Sequence, residues 1–180
     1  MLTPDQKSVL LRLAREAVER AVREQAAPDY FDADPVLIEP AGAFVSLHTV
    51  EGDLRGCIGF PEAQHPLWQA VIQAARLSAL ADDRFHPVTE RELPNLRIEI
   101  SVLSKPQKVN DVNEIEIGRH GLIVSHRGRR GLLLPQVAPE WGWDRQEFLA
   151  RTCQKAFLPP DAYLNGALIE SFEAEIFRED

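Results

Sequence analysis

Cysteine is nearly absent from this chain: only Cys57 and Cys153 occur among its 180 residues. Two are too few for a disulfide framework, and a reducing compartment would keep both as thiols, each free to be structural or reactive. Long apolar runs are missing as well. No stretch approaches the roughly 20 continuous apolar residues of a membrane helix, and Met1-Leu2-Thr3-Pro4-Asp5 lacks the basic and apolar regions of a secretion signal. These absences predict a soluble cytoplasmic protein with no membrane partner. There is no basic surplus either: 20 Lys+Arg stand against 28 Asp+Glu, leaving −8, so the dominant electrostatic footprint of a nucleic-acid binder is lacking. Phosphate-cradling patterns (G-x-G-x-x-G, or Gly-Lys-Ser/Thr ending a loop) do not occur, and neither do Cys-x-x-Cys or His-Glu-x-x-His spacings. No nucleotide, metal or other cofactor is expected.

What remains is ordinary globular composition, 44% hydrophobic and 27% charged. At roughly 150 residues per domain the chain reads as one domain over residues 1–180. The proline-bounded acidic stretch Pro28-Asp29-Tyr30-Phe31-Asp32-Ala33-Asp34-Pro35 is the best candidate for an internal boundary, near 28–40, with a smaller subdomain within about 41–80.

Thr3-Pro4-Asp5-Gln6 supplies an N-cap, a proline at the first helical position and a capping-box glutamine. Leu10, Leu13, Ala14, Ala17, Val18 and Ala21 follow at helical spacing, predicting a helix to about Gln25. Residues 43–50 and 54–60 read as a hairpin around Glu51-Gly52-Asp53. Pro66 opens a second helix with Leu67, Val71, Ala74, Leu77 and Ala81 on its apolar side. Leu96, Ile98, Ile100 and Val102 alternate as the buried face of a strand. A second hairpin brackets Arg127-Gly128-Arg129-Arg130-Gly131, and Pro135 ends it. A helix from Asp144 to about Ala156 turns Phe148, Leu149, Thr152, Cys153 and Ala156 inward, and a closing strand over 170–176 should pack Phe172, Ala174 and Ile176. Hairpins outnumber crossovers, so the fold class is α+β with a largely antiparallel sheet. The two strand-turn-strand-helix stretches have the order of a degenerate repeat.

The string Leu54-Arg55-Gly56-Cys57-Ile58-Gly59 carries the most chemistry. Small neighbours would let a ligand reach the sulfur, which makes Gly56 and Gly59 candidate substrate-binding positions. On an extended strand Arg55 shares a face with Cys57 and could stabilise its thiolate. A two-residue hairpin loop sets His48 directly across from Cys57, whereas a three-residue loop turns His48 to the other face. Both registers are open to the sequence. His120, between Gly118 and Gly121 with Arg119 before it, is a candidate acid or base, and Gln136 a candidate hydrogen-bond donor to a ligand. Against each stands a bland alternative: a core thiol, a turn histidine, a solvated arginine tip at 127–130, and Trp141 and Trp143 as a lid on the core.

The same hexapeptide resembles the signature of the AMMECR domain family, whose bacterial and archaeal members are called AmmeMemoRadiSam system protein A. Asp83-Arg84-Phe85-His86-Pro87, Glu92-Leu93, Ile100-Ser101-Val102-Leu103-Ser104, Gly118-Arg119-His120-Gly121-Leu122, the run from Arg130 to Val137 and Cys153-Gln154-Lys155-Ala156 follow the family pattern in its order. Phe157 departs from it, since a glycine is expected after Lys-Ala. The resemblance implies an α+β fold of two unequal parts around a barrel-like sheet, and a Memo-like protein and a radical S-adenosylmethionine enzyme as partners. It implies no settled reaction. Two functions are therefore carried forward: a Cys57-dependent enzyme acting on or modifying a small molecule, with Arg55 and His120 or His48 assisting, and a non-catalytic binding or scaffold module for those partners.

Overall fold

The computed structural model describes residues 1–30 and 34–180. The connector expected as an internal boundary includes Phe31, Asp32 and Ala33, which lie outside the described residues. Two compact units partition the chain, one of residues 1–102 with 175–180 and one of residues 103–174.

In the first unit, helix α1 (Pro4–Val22) starts by the device its sequence predicts. Thr3 Oγ1 accepts from Gln6 N at 3.3 Å while Gln6 Oε1 accepts from Thr3 N at 2.9 Å, so two otherwise orphaned donors are satisfied. All six residues expected on its apolar stripe are buried. A single turn, α2 (Pro35–Ile38), is capped by Asp34. Strands β1 (Ala43–Thr49), β2 (Leu54–Phe60) and β3 (Leu96–Leu103) pair antiparallel in the order β2-β1-β3. Val45, Leu47, Ile98 and Ile100 turn one face of this sheet into a core shared with α1 and α3 (Leu67–Leu80). Leu77, expected inward, is 38% exposed, because the end of α3 presents Ser78 to the sheet instead. The opposite face carries Phe44, Ser46 and His48 of β1, all half-buried.

In the second unit, β5 (His120–His126) pairs antiparallel with β6 (Arg129–Leu133) and with β7 (Leu168–Arg178), and the two-residue β4 (Gln107–Lys108) pairs with β7. Arg127 and Gly128 turn the hairpin with φ of 48° and 81°, the positive values that a tight two-residue hairpin turn requires. Short α4 (Val137–Trp141) and α5 (Arg145–Lys155) follow. Asp144 accepts from Glu147 N at 2.8 Å, and Phe148, Leu149, Thr152 and Cys153 are buried as expected. Trp143 packs on the core of Ile115, Leu122 and Phe148, but Trp141, stacked on it with ring centroids 6.1 Å apart, remains 71% exposed. The aromatic lid is therefore Trp143 alone.

Strand β7 corrects one expectation. Phe172 is buried, yet Ile176 is 47% exposed. The residues after Ala174 belong to the first unit, where Phe177 packs on its core and Glu175 accepts from Leu2 N and pairs with Lys7, so the inward parity of the strand changes between Phe172 and Phe177.

The two hairpin-helix stretches share a packing device. A Cβ on Gly56 would lie 2.2 Å from the carbonyl oxygen of Ser78 at the end of α3, and one on Gly131 would lie 2.3 Å from Ala156 N at the end of α5. In each unit a glycine in the second hairpin strand lets a later helix, α3 or α5, seat its C-terminal end directly on the strand backbone. Strand pairing within each unit is antiparallel and the fold is α+β. No described helix is long and apolar enough to cross a membrane.

Candidate functional site

The β1–β2 hairpin has neither register read from the sequence. Ser46, not His48, faces Cys57, and the ladder shifts between Leu47↔Gly56 and His48↔Leu54. Pairing of β1 with β3 is unbroken from Ala43 to Thr49, so the irregularity lies in β2, where Arg55 is the extra residue of a β-bulge. A bulge re-aims the side chain it carries. Arg55 accordingly directs Nε to Glu92 Oε1 at 2.7 Å and Nη2 to Glu92 Oε2 at 3.4 Å, with a further contact to the Pro87 carbonyl at 3.5 Å. The expected pairing of this guanidinium with the sulfur does not form. Thr89 adds two hydrogen bonds to Glu92. The Arg55 guanidinium first, with Thr89 assisting, holds the Glu92 carboxyl below the usual carboxylate range.

Register nevertheless builds a polar row across three strands: Cys57 of β2, Ser46 of β1 and Glu99 of β3. Ser46 Oγ donates to Cys57 Sγ at 3.1 Å. His48 lies two residues along β1, hence on the same face, and opposite Arg97 of β3. Its Nε2 is buried without a hydrogen-bond partner. Cys57 is half-buried, whereas Cys153 is fully buried among Val124, Ala156 and Leu158, where desolvation pushes its thiol up. Cys153 is a core residue.

The backbone around Cys57 is clamped by the segment that follows α3. Cys57 N donates to Asp82 Oδ2 at 2.8 Å, and the Cys57 carbonyl accepts from Arg84 Nη2 at 3.3 Å. Ile58 N donates to Ser78 Oγ, which donates in turn to the Val45 carbonyl, each at 2.8 Å. Asp82 is 5% exposed and also grips Arg84 through Nε at 2.9 Å and Nη2 at 2.7 Å. The Arg84 guanidinium, helped by the Cys57 and Arg84 amides, holds the Asp82 carboxyl far below its ordinary range against the cost of burial.

A cleft of about 370 Å³ opens beside this clamp, lined by Arg55, Asp83, Arg84, Phe85 and His86. The two guanidinium carbons lie 5.9 and 5.4 Å from the centroid of the Phe85 ring.

The glycines are not open space over the sulfur, as the sequence suggested. Gly56 is filled by the Ser78 carbonyl, and Gly59 by the Phe44 ring, 2.3 Å from where a Cβ would stand. His120 belongs to the second unit, where its Nδ1 accepts from Glu116 N at 3.0 Å and so closes the turn entering β5. Gln136, also in the second unit, precedes α4, and its Oε1 is buried without a partner. Sequence reasoning missed Ser46, Ser78, Asp82 and Glu92 as parts of the site. The signal available for the acids was the place of Asp82 just beyond the end of α3, directly before Asp83-Arg84-Phe85-His86-Pro87, and of Glu92 in Glu92-Leu93. Among the described residues no group of three His, Cys, Asp or Glu side chains is placed to hold a metal.

Comparison with known proteins gives a consistent picture. The family model described as AMMECR1 matches residues 11–177. A protein of Methanosarcina barkeri is 44% identical over 188 residues, covering 99% of this chain and 93% of that one. A protein of Pyrococcus furiosus is 48% identical, with 95% and 87% covered. The crystal structure of an uncharacterised protein from Pyrococcus horikoshii superposes with a TM-score of 0.84 at 45% identity, covering 96% of this chain and 90% of that one.

Proposed function

Since the chain belongs to the AMMECR1 family, we propose that it is a cysteine-dependent enzyme that acts on or modifies a small molecule, with Cys57 as the nucleophile. The observation that carries this reading is the arrangement at the sulfur. Both backbone groups of Cys57 are tied to Asp82 and Arg84, while among the described residues its side chain has one hydrogen-bond partner, the Ser46 hydroxyl, and the residue is half-buried. A fixed backbone with an uncommitted thiol is what covalent catalysis needs. On addition to an electrophilic carbonyl carbon, Sγ forms the new bond, the C=O π pair moves onto the oxygen, and the S–H proton passes to a base. His48, on the same sheet face with an unpartnered Nε2, is the imidazole suited to take it. Arg55 is assigned to the neighbouring cleft rather than to the sulfur. The Memo-like and radical S-adenosylmethionine partners enter through the family resemblance and belong to this proposal.

A binding or scaffold role for those partners is the second reading. It is favoured by one observation: both arginines of the cleft are committed to carboxylates, Arg55 to Glu92 and Arg84 to Asp82, and neither bonds to the sulfur.

The test is alkylation of the Cys153→Ala protein with iodoacetamide, native against unfolded, monitored by mass. The enzyme reading expects native Cys57 to react at a rate within about tenfold of the unfolded thiol, and His48→Ala to slow it. Reaction only through global unfolding, with a rate suppressed by the folding equilibrium, would refute the enzyme reading and leave the binding module.

A further inference from the structure

We infer that the cleft beside Cys57 is a binding site for the anionic oxygen group, carboxylate or phosphate, of a small molecule, held by the Nη1 groups of Arg55 and Arg84. The inference deepens the proposed function by naming the ligand class, and it stands on its own geometry.

Both guanidiniums are oriented in the same manner. Each presents Nε and Nη2 to a carboxylate, Arg55 to Glu92 and Arg84 to Asp82. In each case Nη1 makes no hydrogen bond to any described residue, although its guanidinium lines the cleft. A guanidinium fixed along one edge by a carboxylate has lost its rotamer freedom before a ligand arrives, so its remaining Nη1 group binds an oxyanion at lower entropic cost. The paired carboxylates also explain how two cations share one aromatic ring: Glu92 and Asp82 balance the charges of Arg55 and Arg84, and the Phe85 ring contributes its face to both.

His86 adds a third donor to the lining, and Phe85 supplies the apolar wall. Asp83 is the fifth lining residue, and its carboxylate repels a second anionic end. The site is thus polarised: it favours a molecule with one oxyanion and a neutral or cationic remainder. A volume of about 370 Å³ lies at the lower end of the range of small-metabolite pockets, about 300–1,000 Å³. Arg84 links the cleft to the nucleophile, since its Nη2 also donates to the Cys57 carbonyl. A ligand gripped here would place its remainder toward the strand that carries the sulfur.

Isothermal titration of the full chain with inorganic phosphate and, separately, with the monocarboxylate propionate tests this, using chloride at matched ionic strength as the control. The expected result is saturable binding of at least one probe at millimolar concentration, weakened about tenfold or more by Arg84→Lys, which keeps the charge but loses the fork. Binding by phosphate alone points to a phosphate ester, and binding by propionate alone to a carboxylate. His86→Ala and Phe85→Leu serve if Arg84→Lys does not fold, and each should weaken the same binding. Heat that tracks ionic strength alone, or binding unchanged in all the variants, would overturn the inference. Saturable, Arg84-dependent binding to a protein whose native Cys57 resists iodoacetamide would preserve this site while removing the enzyme reading, so the two fail separately.

Discussion

Replacing Asp82 with Asn tests whether the loop after α3 is the element that fixes the signature strand. Asparagine keeps the shape of the side chain, but one oxygen becomes an NH2 group that cannot accept from Arg84 or from Cys57 N, the two donors that converge on Oδ2 at 2.7 and 2.8 Å. The change removes charge-assisted bonds of about 1.5–3 kcal/mol each. Arg84 is half-exposed, with 53% of its side chain accessible, and water recovers part of its loss. A net cost of about 2–3 kcal/mol follows, or roughly 4–12 °C in melting temperature for a chain of this size. The pH dependence gives a sharper test. Asp82 has its native pKa lowered, chiefly by Arg84, so its stabilisation is fully present above the unfolded value of about 3.9 and is lost as pH falls below it, at up to 1.4 kcal/mol per pH unit by the usual conversion, here about 1 kcal/mol by pH 3. Asparagine does not titrate. Thermal melts of both proteins at pH 7 and pH 3 should therefore show a gap that narrows by roughly 1 kcal/mol on acidification. A variant that melts within 1 °C of the parent at pH 7, taken as about the precision of a melt against the several degrees expected, or a gap as wide at pH 3, would refute the clamp.

Two further substitutions probe the backbone. Gly56→Ala would set its Cβ 2.2 Å from the Ser78 carbonyl oxygen, forcing α3 off the strand; a loss of about 1–3 kcal/mol is expected by chemical denaturation, and an unchanged midpoint would show that α3 does not need the close approach. Phe157 holds φ of 57° directly after α5 while 84% exposed, so Phe157→Gly should relieve a left-handed strain of about 1–2 kcal/mol against an entropic cost of about 0.5–1, raising the melting temperature by a few degrees. A fall in that temperature would mean that the ring makes contacts worth more than the strain.

Legibility in the sequence followed the range of the interaction. The capping box at Thr3 and Gln6 and the six-residue stripe of α1 are local, and the structure reproduces each of them. The bounds of β2 also match, because its turn and strand residues contrast over a few positions. The hairpin register did not follow, since a bulge at Arg55 adds one residue that no alternation pattern reveals, and parity arguments assume there is none. The clamp was out of reach for another reason. Cys57 and Asp82 are 25 residues apart and meet only because α3 folds back along the hairpin. Asp82 and Arg84 stand two residues apart, and no local pattern marks Asp82 as buried, at 5% exposure.

The signature string can now be assigned residue by residue. Arg55 is bound to Glu92, Gly56 admits the end of α3, Gly59 is covered by Phe44, and the Ile58 amide is tied to Ser78. Each of these makes a contact with a neighbouring element, while Asp82 and Arg84 take up the Cys57 amide and carbonyl on the outer side of the edge strand β2, where an unpaired strand would otherwise expose them. Cys57 is different: its backbone is used and its side chain is not, beyond one hydroxyl. A residue retained only to hold the strand would serve as well with alanine or serine in that half-buried position. Cys57→Ser therefore separates structure from chemistry, since it keeps the Ser46 hydrogen bond and should shift the melting temperature by no more than a few degrees. Any activity of this protein that depends on a sulfur nucleophile would be abolished by it, and a Cys57→Ser protein retaining that activity in full would place the chemistry elsewhere.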